Sequence, residues 1–477
     1  MFISKKNIII YFILFFLIGI FLRTYHLNFE NYWLDEMLSY WVADPSISFS
    51  ETLVRRERLE QTPVLFALIL KEYLRFFSYE PEIGRHVPLF FGILSIPLLG
   101  ILSHQISKNN SFLLTIFLTS INVYLISYSQ EVRPYSLVFL LSIINLNLYY
   151  KIISESLSFL KKIIFFNLFI IFSVLLLSSH PFTLVILFSQ IINSIIFFLF
   201  FKKKNYLFFL SIPFILSIYL FLNFNYLIEL LSDNEHFLTH ENWKFYYNYY
   251  FSRFFGSRIM GVIYLSTLIY LVVTFRKKIF LSFNKYLLLI IILIFSYIIP
   301  LIYGYLKTPI LTDRYIIFVL IPVLILISTL IFEIKDNKLK ILILIFILVP
   351  TIINNFIFEI KDKKVNKPEF KKFFNSLEKD AIKSLTFNTY LKNNKKVSEA
   401  QKILIENYVK TLKEFKNKNL KIFNLYDVSE DQKMIWVVCY EPLVGFNCTL
   451  PNNKKDTWIL LETKQNHFLN SKLYEIR

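Results

Sequence analysis

The chain has 477 residues, 55% of them hydrophobic, with 53 Phe, 30 Tyr and a formal net charge of +18. A soluble domain averages roughly 45–50% apolar residues, and 8 Gly with 15 Pro exclude a β-rich or low-complexity chain. The basic excess is not that of a nucleic-acid binder: no nucleic-acid motif is present, and the cytoplasmic loops of membrane proteins collect Lys and Arg. The apolar residues fall in blocks of roughly 17–25, the length that crosses a bilayer as a helix.

The first block, Asn7–Leu22, follows Lys5-Lys6. It imitates a signal peptide but lacks a small-x-small cleavage site, and more spans follow, so a retained signal-anchor helix with a cytoplasmic N-terminus is expected. Residues 23–84 then emerge on the far side and carry Asn31-Tyr32-Trp33-Leu34-Asp35-Glu36. Two adjacent carboxylates beside the lipid boundary are a functional hypothesis by default. A carboxylate that takes a proton from an acceptor hydroxyl must lie within hydrogen-bond reach of it, and partial desolvation makes it a better base. Asp35 is the candidate, with Glu36 beside it; the alternative is that Asp35 caps a helix over 36–42. Pro63–Phe77 is too short and too charged to cross and reads as an interfacial amphipathic helix led by Pro63, with Lys71-Glu72 facing either a site or the headgroups.

Ten further spans are expected, at about 85–107, 111–126, 136–150, 163–177, 181–201, 206–222, 258–275, 286–303, 315–332 and 341–358, eleven in all. With 63–77 left on the surface, every dense Lys/Arg cluster between spans falls on one side, at 5–6, 108, 151–162, 202–204, 276–278 and 335–340. The positive-inside rule makes that side cytoplasmic. The same parity puts Asp35-Glu36, Gln130–Tyr135, His180 and Asp313-Arg314 together on the outer face.

In Gln130-Glu131-Val132-Arg133-Pro134-Tyr135, Pro134 opens a helix at no cost. Arg133 would bind a phosphate bidentately, or snorkel to headgroups. Glu131 would orient Arg133 or bind the acceptor, with Gln130 and Tyr135 flanking. Arg314-Tyr315 opens a late span, where the Arg contacts the second side of a phosphate or anchors the helix in the aromatic belt. His180 binds a sugar hydroxyl or phosphate, or caps its helix. His236, His240, Arg253 and Arg258 lie in or beside the loop 223–257, and nothing ranks them. No metal-ligand spacing is present, and no bound metal or other cofactor is expected.

Beyond residue 358 the chain turns polar, with strand-length apolar runs at Lys383–Phe387, Ile435–Tyr440 and Thr457–Leu461 and helices at 368–377 and 398–418. The expected division is a transmembrane catalytic bundle over 1–358 and a small extracytoplasmic α/β domain over 359–477. Cys439 and Cys448, the only cysteines, would be either a short-loop disulfide or two thiols.

The order of a short N-terminal span, W-x-D-E in the first outer loop, a Pro-led interfacial helix, Arg85-His-Val-Pro88 with Phe90-Phe91-Gly92, then Ser129-Gln130-Glu131-x-Arg133-x-Tyr135-x-Leu137, resembles the GT-C glycosyltransferases. It is most similar to the bacterial branch related to protein O-mannosyltransferases and lipid A aminoarabinose transferases; Arg314-Tyr315 with Pro322 is similar to its late Arg-Tyr. The resemblance covers roughly residues 8–330. It implies an all-α polytopic membrane protein and an inverting transfer from a polyprenyl-phosphate-linked sugar, on the outer face of a bacterial inner membrane, to a glycan, lipid or protein acceptor. It implies Asp35 as base, with Glu36 beside it, Glu131 as second-loop acid and Arg133 near the phosphate. One departure is Gln61-Thr62-Pro63, where many members have His-Pro-Pro, so a substrate-gripping His is not implied here. The competing readings are an O-antigen-type polymerase or ligase, which needs no first-loop Asp-Glu, and a lipid-linked-sugar flippase, which would place charges at mid-membrane rather than at span ends.

Overall fold

In a computed structural model the chain is described over residues 5–59, 62–154, 157–222, 251–281, 283–361 and, in segments, 363–477. His236, His240, Gln61 and Cys448 lie outside the described residues.

Among the described residues, eight helices are long and apolar enough to cross a membrane: Lys6–Thr24, Pro81–Ser107, Tyr135–Ile153, Phe159–Leu177, Pro181–Leu199, Lys285–Leu306, Arg314–Phe332 and Asn337–Lys361. Ser111–Ser120 and Val123–Ser129 make a ninth if the pair, bent by 56°, is one span. Arg258–Thr274 is a shorter apolar helix. The expected seventh span is a 3₁₀ segment, Lys204–Ser211, running into the helix Ile212–Leu222; Pro213, with no N–H to offer, falls in that helix's first turn, where none is needed. All eleven expected segments are thus helical, and nine of them at most meet the length and composition for a span. The fold is that of a polytopic helical membrane protein with a small C-terminal sheet.

Two compact units make up the chain. The first contains residues 1–25, 61–66 and 87–363, the helical bundle. Its centre is Tyr135–Ile153, buried nearly all round. A polar ladder joins this helix to its neighbours: Asn145 donates to Ser173 Oγ at 2.9 Å and accepts from Gln190 at 2.6 Å, and Asn193 donates to the Tyr149 hydroxyl at 2.7 Å. Between apolar helices in lipid such bonds contribute specificity that apolar burial cannot.

The bend at Ile121-Asn122 has a visible cause. The last carbonyls of the helix Ser111–Ser120 have no partner within the helix, and Arg23 supplies one, donating to Thr119 O at 3.0 Å and Ser120 O at 2.9 Å. Asn355 donates to Ile121 O at 2.6 Å, and Asn122 restarts the helix by accepting the Leu125 N–H at 2.9 Å. The second half then approaches the helix His86–Ser107 at Gly92, where any Cβ would overlap the Ser129 side chain.

The second unit gathers residues 26–60, 67–86 and 364–477. Its sheet has the order β2 (Lys421–Phe423), β1 (Ser384–Thr389), β3 (Met434–Tyr440), β5 (Leu469–Ile476), β4 (Trp458–Asn466). β1 runs parallel to β2 and β3, and β5 antiparallel to β3 and β4. β3 is a continuous apolar run because it is central and covered on both faces. One face packs Ile435 and Val437 with Leu425, Trp458 and Tyr474; on the other, Phe373 of the helix Phe370–Leu377 meets Trp436 edge-on at 6.4 Å. β2 and β5 answer to no expected element. Cys439 is buried on β3.

The same unit holds the loop after the first span. Its helix Leu34–Val42 packs on Lys395–Thr411 of the tail. Tyr32 stacks on Tyr408 at 5.5 Å and donates its hydroxyl to Pro81 O at 2.5 Å. Tyr40 stacks on Tyr79 at 4.3 Å, and Asn407 donates to the Tyr79 hydroxyl at 2.9 Å. The tail and the loop that carries Asp35 therefore fall, by contact, in one compact unit.

Candidate active site

In the bundle unit, Gln130, Glu131, Arg133, Tyr135, His180, Arg314 and Tyr315 come together. The Ser129–Pro134 turn is set by backbone and side-chain bonds. The Arg133 N–H donates to Glu131 O at 2.7 Å, and Ser136 Oγ donates to Tyr128 O at 2.7 Å. Gln130 is fully engaged by protein. Its Nε2 donates to Arg23 O at 3.0 Å and Tyr25 O at 2.8 Å, and its Oε1 accepts from Lys363 at 2.8 Å. Gln130 therefore ties the end of the first span to this turn. Glu131 and Arg133 beside it are buried.

Tyr135, the first residue of its helix, is the hub. The Arg133 guanidinium lies 6.0 Å and that of Arg314 5.9 Å from its ring centre. Tyr315 is 6.4 Å and His180 6.1 Å from the same ring, and His180 and Tyr315 are 4.8 Å apart. Each guanidinium gains a modest attraction from the ring face, and the rings fix where the cations sit. Arg253, at 3.5 Å, pairs with buried Asp313 next to Arg314. One buried and one half-buried guanidinium group are thus held around one aromatic ring.

His180 caps the turn that follows it, its Nδ1 accepting the Phe182 N–H at 3.2 Å, so the ring proton is on Nε2. Burial, then Arg133 and Arg314, push its pKa down from 6.5 to about 3. With its pKa lowered this far the ring is neutral near pH 7, with Nε2–H as its donor. The sign follows: below pH 6.5 the unfolded chain takes up a proton that the folded chain refuses until about pH 3, so stability falls as pH drops through that window. Comparing thermal unfolding of the wild type with His180→Asn between pH 7.5 and about 4.5 should show the wild type losing more stability on acidification. Parallel loss in both would contradict a buried neutral ring.

In the second unit Asp35 and Glu36 occupy the first turn of the helix Leu34–Val42, where negative charge suits the helix dipole. The N-cap is Trp33, with no side-chain cap bond, so the capping alternative for Asp35 does not hold. Glu36 is fully buried; Arg85 approaches it at 3.5 Å and Lys367 at 2.7 Å. Arg85 also donates to Leu27 O at 3.0 Å and lies over the Tyr32 ring at 5.1 Å. Glu36, expected beside Asp35 as a catalytic carboxylate, thus has two cations of its own chain beside it. Asp35 is half-buried. Lys71 turns inward, donating to Ile47 O at 2.7 Å and Thr52 Oγ1 at 2.7 Å, while Glu72 stays outside with Arg75. Its ammonium pKa is lowered by burial.

Sequence reading missed Arg23, Lys363 and Lys367 as partners. Arg23 had a signal, a charge placed at the end of an apolar span; the two lysines had none, being two among many in a basic tail. Among the described residues no group of three or more His, Cys, Asp or Glu side chains could hold a metal ion.

No family model and no curated protein sequence matches the chain. Solved structures do. The archaeal oligosaccharyltransferase AglB from Archaeoglobus fulgidus, in complex with an inhibitory peptide and a dolichol-phosphate, is similar with a TM-score of 0.51 at 12% identity, over 78% of this chain and 57% of that one. The apo form of the Archaeoglobus fulgidus oligosaccharyltransferase gives 0.50 at 12% identity, over 80% and 59%. ArnT from Cupriavidus metallidurans in the apo state gives 0.49 at 10%, over 70% and 61%. The chain spans about three-fifths of the length of these proteins, and at such identity the likeness is one of fold.

Proposed function

On the premise of a GT-C glycosyltransferase fold, we propose that the chain is a membrane glycosyltransferase that moves a sugar from a polyprenyl-phosphate carrier to an acceptor hydroxyl. The observation that carries this reading is the pair Arg133 and Arg314, each about 6 Å from the Tyr135 ring beside a neutral His180. Such a pair suits a donor whose leaving group is a lipid phosphate.

The acceptor oxygen attacks the anomeric carbon as the bond from that carbon to the phosphate oxygen breaks, with inversion. The W-x-D-E resemblance assigns the hydroxyl proton to Asp35; the polyprenyl phosphate leaves with its electron pair, and in the bundle unit Arg133 and Arg314 hold its charge. Glu131 orients Arg133, and His180 offers its Nε2–H to a phosphate or sugar oxygen. Tyr135 and Tyr315 wall the guanidinium groups. Glu36 and Gln130 act as positioning residues through the bonds described above. The acceptor is a glycolipid, an envelope glycan or a protein.

Arg133→Ala and Arg314→Ala should each raise the donor KM roughly tenfold to a hundredfold, the worth of a charge-assisted hydrogen bond, with the lysine variants recovering part of it. A prenyl-phosphate-sugar titration in native membranes measures this. Unchanged donor KM in both alanine variants would remove the phosphate role.

We also infer an inner-membrane orientation with the N-terminus in the cytoplasm and the chain beyond residue 358 outside, since the Lys/Arg clusters then share the cytoplasmic side. A reporter fused after residue 358 should read extracytoplasmic; a cytoplasmic reading would sink the orientation.

A further inference from the structure

Lys363, at the close of the bundle unit, takes no part in the proposed chemistry, yet its contacts reach the turn that carries Arg133. Its ammonium donates to Gln130 Oε1 at 2.8 Å and to Glu359 Oε2 at 3.1 Å. The last helix of the bundle brings it there. Asn337–Asn355 runs on into a π turn, Phe356–Lys361, a geometry that occurs as single turns and often at functional sites. Asn355 donates to Ile121 O at 2.6 Å, where the span 111–129 breaks. Ile360 packs on the apolar cluster of Leu22, Ile121 and Ile126. Lys363 then meets Gln130, the C-cap of the helix Val123–Ser129. The second half of the broken span is thus held at its start by Asn355 and at its end by Lys363.

A lysine just beyond a span ordinarily reaches for headgroups or water. Two observations separate Lys363 from that. The first is enclosure. Its side chain is 11% exposed and that of Glu359 9%, whereas the surface i,i+4 pair Lys410–Glu406 stands at 71% and 39%. An enclosed ion pair must find its remaining hydrogen bonds within the protein, and Gln130 supplies one. The second is direction. The two ends of a Gln amide are chemically opposite. Gln130 Nε2 donates to Arg23 O and Tyr25 O, carbonyls at the C-terminal end of the first span, so Oε1 must face a donor. Were the amide turned over, its oxygen would meet carbonyl oxygens and its nitrogen would meet an ammonium. Lys363 therefore fixes which way Gln130 points, and Gln130 opens the turn that carries Arg133.

We propose that Lys363, steadied by Glu359, is a positioning residue for the Arg133 turn: through Gln130 it holds the guanidinium where the donor phosphate binds. The donor part of this inference rests on the sugar-transfer reading; the hold on the turn does not.

Hydrogen–deuterium exchange of the full chain in detergent, read by mass spectrometry, tests the hold without any substrate. Lys363→Met keeps the apolar stem and removes the ammonium. It should raise exchange of peptides covering 127–134 about tenfold, the worth of one charge-assisted hydrogen bond, and leave those covering 138–153 and 320–332 unchanged. Lys363→Arg should restore protection, and Lys361→Met, at an exposed position two residues away, should match the wild type. Unchanged exchange at 127–134 would overturn the proposal. So would a uniform rise across the bundle, which marks lost global stability rather than a lost local contact. A prenyl-phosphate-sugar titration then reads the donor. Lys363→Met should raise donor KM about threefold to tenfold with kcat nearly unchanged, and should add little on top of Arg133→Ala, because both act through one guanidinium. Full additivity, or an unmoved KM in Lys363→Met where Arg133→Ala raises it, would overturn the route through Arg133. Local loosening of the turn in a protein whose donor KM does not respond to Arg133→Ala either would fail the transfer reading and leave the hold on the turn standing.

Discussion

Replacing Asp35 with asparagine should lower sugar transfer about 10²–10⁴-fold, the usual worth of a positioned general base, while expression and membrane insertion stay as in the wild type. The separation of activity from folding rests on the local structure. Asp35 lies in the first turn of the helix Leu34–Val42 but does not cap it, the N-cap being Trp33. Asparagine keeps the size and the hydrogen-bonding capacity and loses the charge, and the helix-dipole contribution given up is about 0.3–1 kcal/mol. Asp35→Glu should recover part of the rate, since it restores the carboxylate but displaces it by a methylene. The measurement is transfer from a labelled prenyl-phosphate sugar in membranes containing matched amounts of each variant. An Asp35→Asn protein with wild-type turnover would take Asp35 out of the mechanism.

Glu36→Ala has the opposite signature. Its carboxylate lies 3.5 Å from Arg85 and 2.7 Å from Lys367 in the buried centre of the second unit. Deleting one partner of a buried charge group and stranding the others costs about 3–5 kcal/mol, against a total stability of roughly 5–15 kcal/mol for a domain. Denaturant unfolding of the full chain, followed by tryptophan fluorescence, reads this unit directly, because Trp33, Trp41, Trp436 and Trp458 all belong to it. The midpoint should fall markedly for Glu36→Ala, whereas Glu36→Leu paired with Lys367→Met should recover much of it, apolar groups being cheaper to bury than a broken ion pair. An unchanged midpoint in Glu36→Ala would show that the triad contributes nothing and would reopen a direct catalytic role for Glu36.

These two neighbours read alike in the sequence and differ in the structure. Asp-Glu after a first span marks the stretch as functional, but nothing local says which carboxylate is enclosed. The helix Leu34–Val42 decides it, because a one-residue step turns a side chain by about 100° around the axis. That step carries Glu36 into the interior and leaves Asp35 half-buried.

The Arg133 turn was more legible. Gln-Glu-x-Arg-Pro-Tyr ahead of an apolar run announces a helix start with charge at its mouth, and the same holds for Asp313-Arg314-Tyr315. That Tyr135 would be the shared ring between the two guanidinium groups was not legible, since the pairing joins residues 179 positions apart.

By itself, the sequence determined that the chain is a polytopic helical bundle followed by a small α/β segment, and which stretches form helices. Each apolar block meets its surroundings one segment at a time, and its length and lysine-marked ends suffice to specify it. Only the tertiary structure decided that the span 111–129 breaks and that the tail joins the first loop. The contact between Lys367 and Glu36 spans 331 residues, and Tyr408 meets Tyr32 across 376. Such pairs arise from where the folded chain returns, and side-chain periodicity carries no record of that.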